Sequence, residues 1–334
     1  MTDSPSPAEV ALNCIRDYPG ANNPSSFLAV NEGNEYFTLP GRPGVVAYRT
    51  AGRYLVQFGG PFAPAESYAD LLHGFLDFAR AQQRTVVAVQ LQRDDVDAYA
   101  RSGFTVNQIG ASWAVDLARF TLAGTKFMQL RNKISRSFRA GLQVIEAKLD
   151  DWYDQMRELD AVWLTSKGEH SRELEFLVGQ YGGEAQQHRR LFVGTIEDRL
   201  VGYISYSPVY GDRPGWMHDL SRRIPDRVPG IMEAINRTAI ERFQSENVPW
   251  LHFGFTPFTG LAEENLPAGH SPGFHLLMQL LWLHGEAVYP AQTQLAYKQK
   301  WDPHVCIPEY VAFQGRASIA GLAHIFRASN ALEV

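Results

Sequence analysis

The same order of elements is predicted twice along the chain, and this repetition is the strongest constraint on its fold. Each copy has three strand-like runs separated by turn signals, then a helix, then a further strand. The first copy contains EYFTL, VVAYRT and YLVQF, a helix over Tyr68–Ala81 and a strand over Thr85–Leu91. The second contains RLFVGTIE, LVGYISYSPVY and GWMHDLSRR, a helix over Gly230–Glu246 and a strand over Trp250–Phe255. The repetition predicts an α/β chain, of the α+β type, with two similar domains that each hold a mixed, largely antiparallel sheet.

The domain boundaries follow from where this pattern stops and starts again. Residues 1–34 are rich in Pro, Ser, Asn and Gly and are predicted to be an N-terminal arm. Residues 35–120 form the first predicted domain, 121–144 a linking helix, and 145–334 the second, catalytic domain. Within the second domain, a buried helix is predicted over Phe274–Leu283, since this apolar run is about half of the ~20 residues that cross a bilayer. A last strand is predicted near Leu295–Lys298.

Composition excludes several classes of protein. The net charge of −5 argues against a general nucleic-acid coat protein, which would be basic overall. Cys14 and Cys306 lie too far apart in sequence to form a disulfide framework or a metal cluster, and none of the ten histidines has the spacing of a metal site. We therefore expect no bound metal. The polar, acidic N-terminus does not resemble a signal peptide, so we expect a soluble cytoplasmic protein.

The predicted linking helix lies in a stretch with an unusual charge pattern. From Leu117 to Ile145 there are six basic residues and no Asp or Glu. Apolar side chains recur at helical spacing, which predicts one buried face and basic side chains on the others. A solvated helix would show the same pattern, but the missing acidic partners favour contact with a polyanion. The basic residues are Arg119, Lys126, Arg131, Lys133, Arg136 and Arg139.

Several segments, taken in order, resemble one known family. LRNKISRSFRAGL, preceded by IGASWAVDLARFTLAGTKF, is similar to the linker helix of the catalytic domain of aminoacyl-phosphatidylglycerol synthases, also called the multiple-peptide-resistance-factor C-terminal domain. The likeness continues through FLVGQY, ISYSPVYGDRPGWMHDLSRRIPDRVPGIMEAI, WLHFGFTPF and LAYKQKWDP, and covers about Tyr36 to Phe313. The resemblance implies two fused acetyltransferase-like (GNAT) domains with a cleft between them. It also implies transfer of an aminoacyl group from aminoacyl-tRNA to an acceptor.

This activity requires no cofactor beyond aminoacyl-tRNA as co-substrate, because the ester on the tRNA is already activated. The enzyme must orient two substrates, remove a proton from the nucleophile and stabilise an oxyanion. No serine has a Gly-x-Ser-x-Gly setting, so we expect direct attack on the ester without a covalent enzyme intermediate.

The sequence leaves alternatives open for both the acceptor and the donor of the transferred group. Lipid-modifying family members usually carry a large transmembrane domain ahead of this one, and this sequence has none, so we expect a soluble amine, alcohol or peptide acceptor. Soluble relatives of this kind act in antibiotic pathways. The alternatives are an acyl-coenzyme A N-acyltransferase, an aminoacyl-phosphatidylglycerol synthase that acts on membrane lipid, and a non-catalytic protein that binds RNA or a lipid surface. Gly59-Gly60-Pro61 also departs from the Gly-Asp-Pro that the family commonly has.

The segment WMHDLSRR carries the main candidate catalytic residues, Asp219 and Arg222. Three positions apart on a strand, their side chains would point to opposite faces, unless a bulge or turn intervenes. A surface salt bridge is the alternative explanation. The resemblance implies that the family's aminoacyl-binding Asp and Arg lie in this motif. We therefore expect Asp219 to hold the α-ammonium of the aminoacyl group and Arg222 to contact its ester carbonyl or a neighbouring phosphate.

The other candidates surround this motif in sequence. Lys298, the third predicted catalytic residue, lies with Lys300 on the predicted last strand. One interpretation is that these lysines bind phosphate or polarise the ester carbonyl; the other is that they are solvated side chains of an edge strand. Gly230 ends the run PDRVPG before a helix, which is either a phosphate site or a plain turn. His218 is either a general base or, by preference, structural. The predicted substrate-binding residues are Arg223, Gly230, Lys300, Tyr210 and His218, and the predicted tRNA-binding residues are Lys126, Arg131, Lys133, Arg136 and Arg139.

Overall fold

Within the part of the chain that the structure describes, the strands form one continuous sheet of eleven strands. The computed structural model describes residues 5–18, 22–167, 172–225, 228–286 and 289–331. The spatial order is β1-β2-β3-β4-β11-β5-β10-β9-β8-β7-β6, mostly antiparallel, with parallel pairs at β3–β4 and β9–β10. The strands are β1 Glu35–Leu39, β2 Arg42–Ala51, β3 Tyr54–Phe62, β4 Thr85–Leu91, β5 Phe104–Asp116, β6 Gln143–Ala147, β7 Arg190–Ile196, β8 Arg199–Val209, β9 Gly215–Arg223, β10 Trp250–Pro257 and β11 Val305–Gln314.

Helices cover both faces of this sheet. Neighbouring residues of one strand pack in different cores, on opposite faces of the sheet. Leu55 packs with α2, whereas Val56 packs in the core that includes α1 and α9. In the same way Ile204 packs with α6 and Tyr203 with α5, so these two helices lie on opposite faces. The helices are α1 Pro7–Asp17, α2 Ala65–Ala81, α3 Val96–Arg101, α4 Met128–Arg139, α5 Tyr153–Thr165, α6 Ile231–Ser245, α7 Pro272–His284, α8 Ala291–Gln299 and α9 Ile319–Ala328.

The two halves share a detailed feature as well as an element order. In each half a parallel strand pair runs for five (β3–β4) or three (β9–β10) residue pairs and then separates. At that point β4 and β10 each place two residues opposite one residue of the next strand, and the second bulge residue has positive φ: 56° at Gln90 and 67° at Gly254. The same bulge at the same place in both halves supports the tandem α/β architecture predicted from the element order, which the family resemblance describes as GNAT-like.

The last strand crosses between the halves. β11 comes from the C-terminal part of the chain, yet it lies between β4 and β5 and pairs with both. β5 in turn pairs with β10 of the second half. Residues 305–314 therefore complete the sheet of the first half, although they were predicted to belong to the second domain. For the other elements the division into residues 35–120 and 145–334 remains a prediction.

Two predictions about individual elements are wrong. Leu295–Lys298 is not a strand but part of helix α8, which follows Pro290. The apolar helix is present as α7, but only Phe274 and Met278 along it are buried, because the helix packs one side on the sheet and leaves the other open. In the described parts of the chain, no helix has the length and apolar character needed to cross a bilayer.

Candidate functional site

A β-bulge in β9 brings Asp219 and Arg222 to the same face of the sheet. Ser205 of β8 pairs with Leu220 and Tyr206 pairs with His218, so Asp219 has no residue opposite it. The extra residue shifts the alternation of side chains by one position. Because of this bulge, the side chains of Asp219 and Arg222 lie on one face of the sheet although the residues are three positions apart.

The neighbours of the two side chains identify that face. The Arg222 guanidinium lies 4.0 Å from the centre of the Trp163 ring on α5. Asp219 lies beside Ser205 and Ser207, which alternate along β8 on the α5 side of the sheet. Gly179, in the loop before β7, donates its backbone N–H to the Asp219 carbonyl at 3.1 Å, and a Cβ there would lie 2.5 Å from the Asp219 carboxyl carbon. Only glycine lets this loop close over Asp219.

The Asp219 carboxyl is buried and incompletely paired. Burial raises its pKa from 3.8 to about 6, against the opposing effects of Arg189 and of the two serine hydroxyls. The hydroxyls lie close enough to influence the pKa, but neither makes a hydrogen bond with the carboxylate. A carboxylate held in this way can accept hydrogen bonds from an incoming ammonium group.

Arg189 is a site residue that the sequence did not single out. Its guanidinium is buried, donates to Asn31 Oδ1 at 3.0 Å and lies 5.0 Å from the centre of the Phe27 ring. Asn31 and Phe27 come from the N-terminal arm, so this arm helps to fix the cation beside Asp219. Arg189 directly precedes β7, and the packing of the arm against it could not be read from the sequence pattern.

Unpartnered polar atoms concentrate at this place. A buried polar atom without a hydrogen bond costs free energy, and in native proteins such atoms often mark ligand sites. Ser205 and Ser207 also break an otherwise apolar strand at alternate positions, a signal that the sequence does contain. Among the residues that the structure describes, no hydrogen-bond partner is present for either carboxylate oxygen of Asp219, for Nε of Arg189, for Nε of Arg222, or for the hydroxyls of Ser205 and Ser207.

Lys298 lies at the point where β9 and β10 separate. Its ammonium donates to the carbonyls of Gly254 and Phe255 at 2.8 and 3.1 Å and to Thr256 Oγ1 at 2.5 Å. Burial lowers its pKa to about 7, and the buried carboxyl of Glu309 on β11 counteracts this. All three ammonium hydrogens are thus used within β10. The prediction that Lys298 approaches from a strand is wrong: it lies in the last turn of α8 and holds the β10 bulge.

Lys300 and Lys133 meet at one buried carboxylate. Glu233, in the first turn of α6, accepts from Lys133 at 2.6 Å and from Lys300 at 3.1 Å, and its pKa is lowered by these lysines despite burial. Gly230 is the N-cap of α6 in the left-handed region, and a Cβ there would lie 2.4 Å from the Lys133 carbonyl of α4. The backbone of α4 therefore packs directly against the N-terminus of α6. Asp226 in the same predicted segment lies outside the described residues.

The remaining substrate candidates are not brought together with Asp219. His218 faces the other side of β9, among the rings of Tyr206 and Tyr297, and burial lowers its pKa to about 3, so it is neutral. Arg223 is exposed at the end of β9. Tyr210 follows β8 at the opposite end of the β8–β9 hairpin from Arg222 and packs against the core beneath α1.

Several basic residues of α4 and of the turn before it have partners that the sequence pattern did not reveal. Lys126 pairs with Asp302, and Lys133 with Glu233, so acidic residues distant in sequence supply the missing partners. Arg131 donates to backbone carbonyls of the loop before α4. Arg136 and Arg139, in the last turn of α4, have no ion pair among the residues that the structure describes. They are the basic side chains of α4 best placed to bind a further anion.

Comparison with known proteins identifies the family to which this chain belongs. The family model described as "Phosphatidylglycerol lysyltransferase, C-terminal" matches residues 15–313. A phosphatidylglycerol lysyltransferase of Bacillus subtilis is 26% identical over 90% of this chain and 34% of its own length. One of Staphylococcus epidermidis is 21% identical over 91% of this chain and 35% of its own length. The chain thus spans about a third of the length of these relatives.

Solved structures show the same fold. L-PGS from Bacillus licheniformis has a TM-score of 0.77 at 20% identity, covering 98% of this chain and 97% of that one. The C-terminal domain of a lysylphosphatidylglycerol synthetase from Agrobacterium fabrum has a TM-score of 0.76 at 20% identity, covering 98% of both chains. The resemblance seen in the sequence motifs is confirmed, and the chain belongs to the family of phosphatidylglycerol lysyltransferase C-terminal domains.

Proposed function

We propose that this chain transfers an aminoacyl group from aminoacyl-tRNA to a hydroxyl of phosphatidylglycerol. The observation that carries the proposal is the buried Asp219 carboxylate, which has no hydrogen-bond partner among the described residues and lies beside Arg189, with Arg222 on the same face of β9, in a chain of this family. The relatives are named for a lysyl group and for phosphatidylglycerol. This favours the lipid acceptor, which the sequence left as an alternative, over the soluble acceptor that we expected.

In the proposed complex, Asp219 accepts hydrogen bonds from the α-ammonium of the aminoacyl group. Arg222 donates to the ester oxygen or to a phosphate, with its plane fixed by the Trp163 ring. Arg189 stays buried and keeps the site from accumulating net negative charge when Asp219 is ionised. These three groups bind and orient the ester so that its carbonyl carbon is open to attack.

The reaction is a transesterification in which atoms and charges balance. The lipid hydroxyl oxygen bonds to the ester carbonyl carbon, the tetrahedral oxyanion collapses, and the ribose hydroxyl of the tRNA leaves. The proton lost by the attacking hydroxyl is gained by the leaving one. Ser205 and Ser207 lie on the opposite face of the sheet from His218, so these residues do not form a serine–histidine pair. The arrangement supports direct transfer without an acyl-enzyme.

The packing of α4 weighs against an acyl-coenzyme A donor. Acetyltransferases hold the pyrophosphate of coenzyme A at the N-terminus of the helix that corresponds to α6. Here the Lys133 backbone contacts Gly230 at that position, and Lys133 and Lys300 are both engaged by Glu233. The basic end of α4, at Arg136 and Arg139, is the proposed contact for tRNA phosphates.

The test compares two donors, aminoacyl-tRNA and acyl-coenzyme A, and two kinds of acceptor, phosphatidylglycerol and soluble molecules. We expect transfer from a pool of charged tRNAs to phosphatidylglycerol, detected by mass spectrometry of the lipid fraction, and none from acyl-coenzyme A. Small amines and peptides serve as the soluble acceptors. The proposal is overturned if acyl-coenzyme A supports transfer and aminoacyl-tRNA does not, or if only the soluble acceptors are modified.

A further inference from the structure

Asn31 of the N-terminal arm is bonded to both of the structures that flank the Asp219 carboxyl. Its side-chain oxygen accepts a hydrogen bond from Nη2 of Arg189 at 3.0 Å, and its side-chain nitrogen donates to the carbonyl of Val178 at 2.9 Å. Val178 directly precedes Gly179, the residue that closes over Asp219. Asn31 is only 2% exposed. One buried asparagine therefore fixes both the guanidinium and the loop beside the carboxylate.

Arg189 and Asp219 are neighbours that do not bond to each other. Each influences the pKa of the other, yet within the described residues neither carboxylate oxygen of Asp219 nor Nε of Arg189 has a hydrogen-bond partner. A guanidinium and a carboxylate that can reach each other commonly form a bidentate ion pair. Burial without such a pair leaves each group with a desolvation penalty. The separation of the two groups therefore requires a restraint on at least one of them.

The N-terminal arm supplies a restraint on Arg189. Besides its bond to Asn31, the guanidinium lies 5.0 Å from the centre of the Phe27 ring, and it donates to the carbonyl of Gly182 at 3.5 Å, a long contact. Phe27 is fully buried in the core that includes residues of β2 and β3. The bond to Asn31 is thus the shortest of the contacts that hold this guanidinium in place.

Other charged groups near the pair offer Arg189 a weaker alternative. Glu32 also acts on Arg189, but its side chain is exposed, so solvent weakens the attraction. On the other side, β8 presents two serine hydroxyls to Asp219. The remaining titratable and charged side chains around this face are Arg222 of β9, and Asp160 and Glu173, which act on each other and lie near Arg222. Asp219 is therefore the buried carboxylate that Arg189 would meet if Asn31 released it.

We propose that Asn31 is a positioning residue that holds Arg189 out of a direct ion pair with Asp219, and so keeps the carboxylate open to the aminoacyl ammonium. This proposal rests on the role proposed above for Asp219. At its present distance the guanidinium still offsets the negative charge of the carboxylate. Bonded directly to it, the guanidinium would occupy the oxygen lone pairs that the ammonium needs.

The test compares two substitutions with opposite expected effects. Asn31→Ala removes the acceptor for Arg189, so the guanidinium can pair with Asp219, and the pKa of Asp219 should fall from about 6 by about one to three pH units. Asn31→Asp keeps an acceptor and adds a negative charge, so the pKa of Asp219 should rise above its wild-type value. Carbon-13 NMR of labelled aspartate carboxyl groups measures both, and Asp219→Asn identifies the signal.

Asn34 provides a matched control in the same arm. Its side-chain oxygen accepts from Nε of Arg49 at 2.8 Å, and its side-chain nitrogen donates to two backbone carbonyls of the arm at 3.0 and 2.9 Å. Asn34→Ala therefore removes the same kinds of bond at a different arginine, and the pKa of Asp219 should keep its wild-type value. General loosening of the arm would instead affect Asn31→Ala and Asn34→Ala alike.

Transfer kinetics give a second readout. In Asn31→Ala the aminoacyl ammonium must displace a guanidinium, so the KM for aminoacyl-tRNA should rise at least about tenfold, the factor that corresponds to a fall of one pH unit in the pKa of Asp219. Asn34→Ala should leave this KM unchanged.

The proposal is overturned if the pKa of Asp219 stays constant or rises in Asn31→Ala, or if Asn34→Ala lowers it equally. The NMR measurement needs no substrate, so it separates this proposal from the proposed function. Expected pKa changes in a protein that transfers no aminoacyl group to any acceptor would support the positioning of Arg189 and refute the proposed function. Transfer by the wild type without the expected pKa changes would refute the positioning alone.

Discussion

Replacing Asp219 by Asn should stabilise the protein at neutral pH while strongly slowing transfer. The folded state raises the pKa of this carboxyl from 3.8 to about 6, so the folded state binds the proton more tightly than the unfolded state. The stability gained from this proton is fully present below pH 3.8 and is lost as the pH rises to about 6. A shift of about two units corresponds to roughly 3 kcal/mol at pH 7.5.

The amide keeps the shape of the carboxyl and does not ionise, so the variant should escape this loss. The two proteins should have similar free energies of unfolding at pH 4, and the variant should be more stable by up to roughly 3 kcal/mol at pH 7.5. Chemical denaturation at both pH values measures the difference. Transfer by the wild type should rise through pH 6 as the carboxyl ionises, and the variant should lose about 10²–10³-fold in turnover, as for other lost charge-stabilising groups.

Asp95 provides a matched control for burial. It is also buried, its pKa is also raised to about 6, and it accepts a hydrogen bond from Tyr68 in the other half of the protein. Asp95→Asn should show a similar dependence of stability on pH with transfer unchanged. If the difference between wild type and Asp219→Asn did not vary with pH, or if that variant still transferred at the wild-type rate, the reasoning about this carboxylate would be refuted.

Three further predictions test other parts of the site. Arg222→Lys should lower turnover at least tenfold with an unchanged unfolding midpoint, since an ammonium cannot stack its plane on the tryptophan of α5; wild-type turnover would contradict this. Arg136→Ala with Arg139→Ala should weaken tRNA binding and reduce the salt dependence of binding by the equivalent of up to about two phosphate contacts, whereas Lys126→Ala should change filter binding less, because Lys126 already pairs with Asp302. Lys298→Met should destabilise the fold by about 2–4 kcal/mol in urea unfolding, because three buried acceptors lose their donor; a variant as stable as the wild type would show that β10 holds its bulge unaided.

The sequence predicted the fold better than the site, for a physical reason. Alternation along strands and helical periodicity are local, so the repeated order of elements was visible without coordinates. The bulge at Asp219 was considered but could not be decided, because it depends on which residues of β8 lie opposite β9. Arg189 becomes part of the site only through contacts with Asn31 and Phe27, more than 150 positions away.

The wrong predictions have causes of the same kind. LAYKQK alternates as a strand would, but the run is too short to distinguish the two periods, and Pro290 begins a helix there. α7 is apolar on all sides, which favoured burial, yet only one side of it meets the sheet. The basic stretch lacks acidic residues locally, but Glu233 and Asp302 reach it from distant elements.

The position of β11 has a consequence for how the chain folds during synthesis. The first half emerges from the ribosome with β4 and β5 but without the strand that belongs between them, since residues 305–314 are made last. Until then the inner edges of both strands lack their partner, and a chain that stops before residue 305 leaves them open to pairing with other chains. A break within residues 121–144 would separate the chain into two pieces, and the first piece would lack β11. The half that is synthesised first therefore cannot complete its part of the sheet until nearly the whole chain has been made.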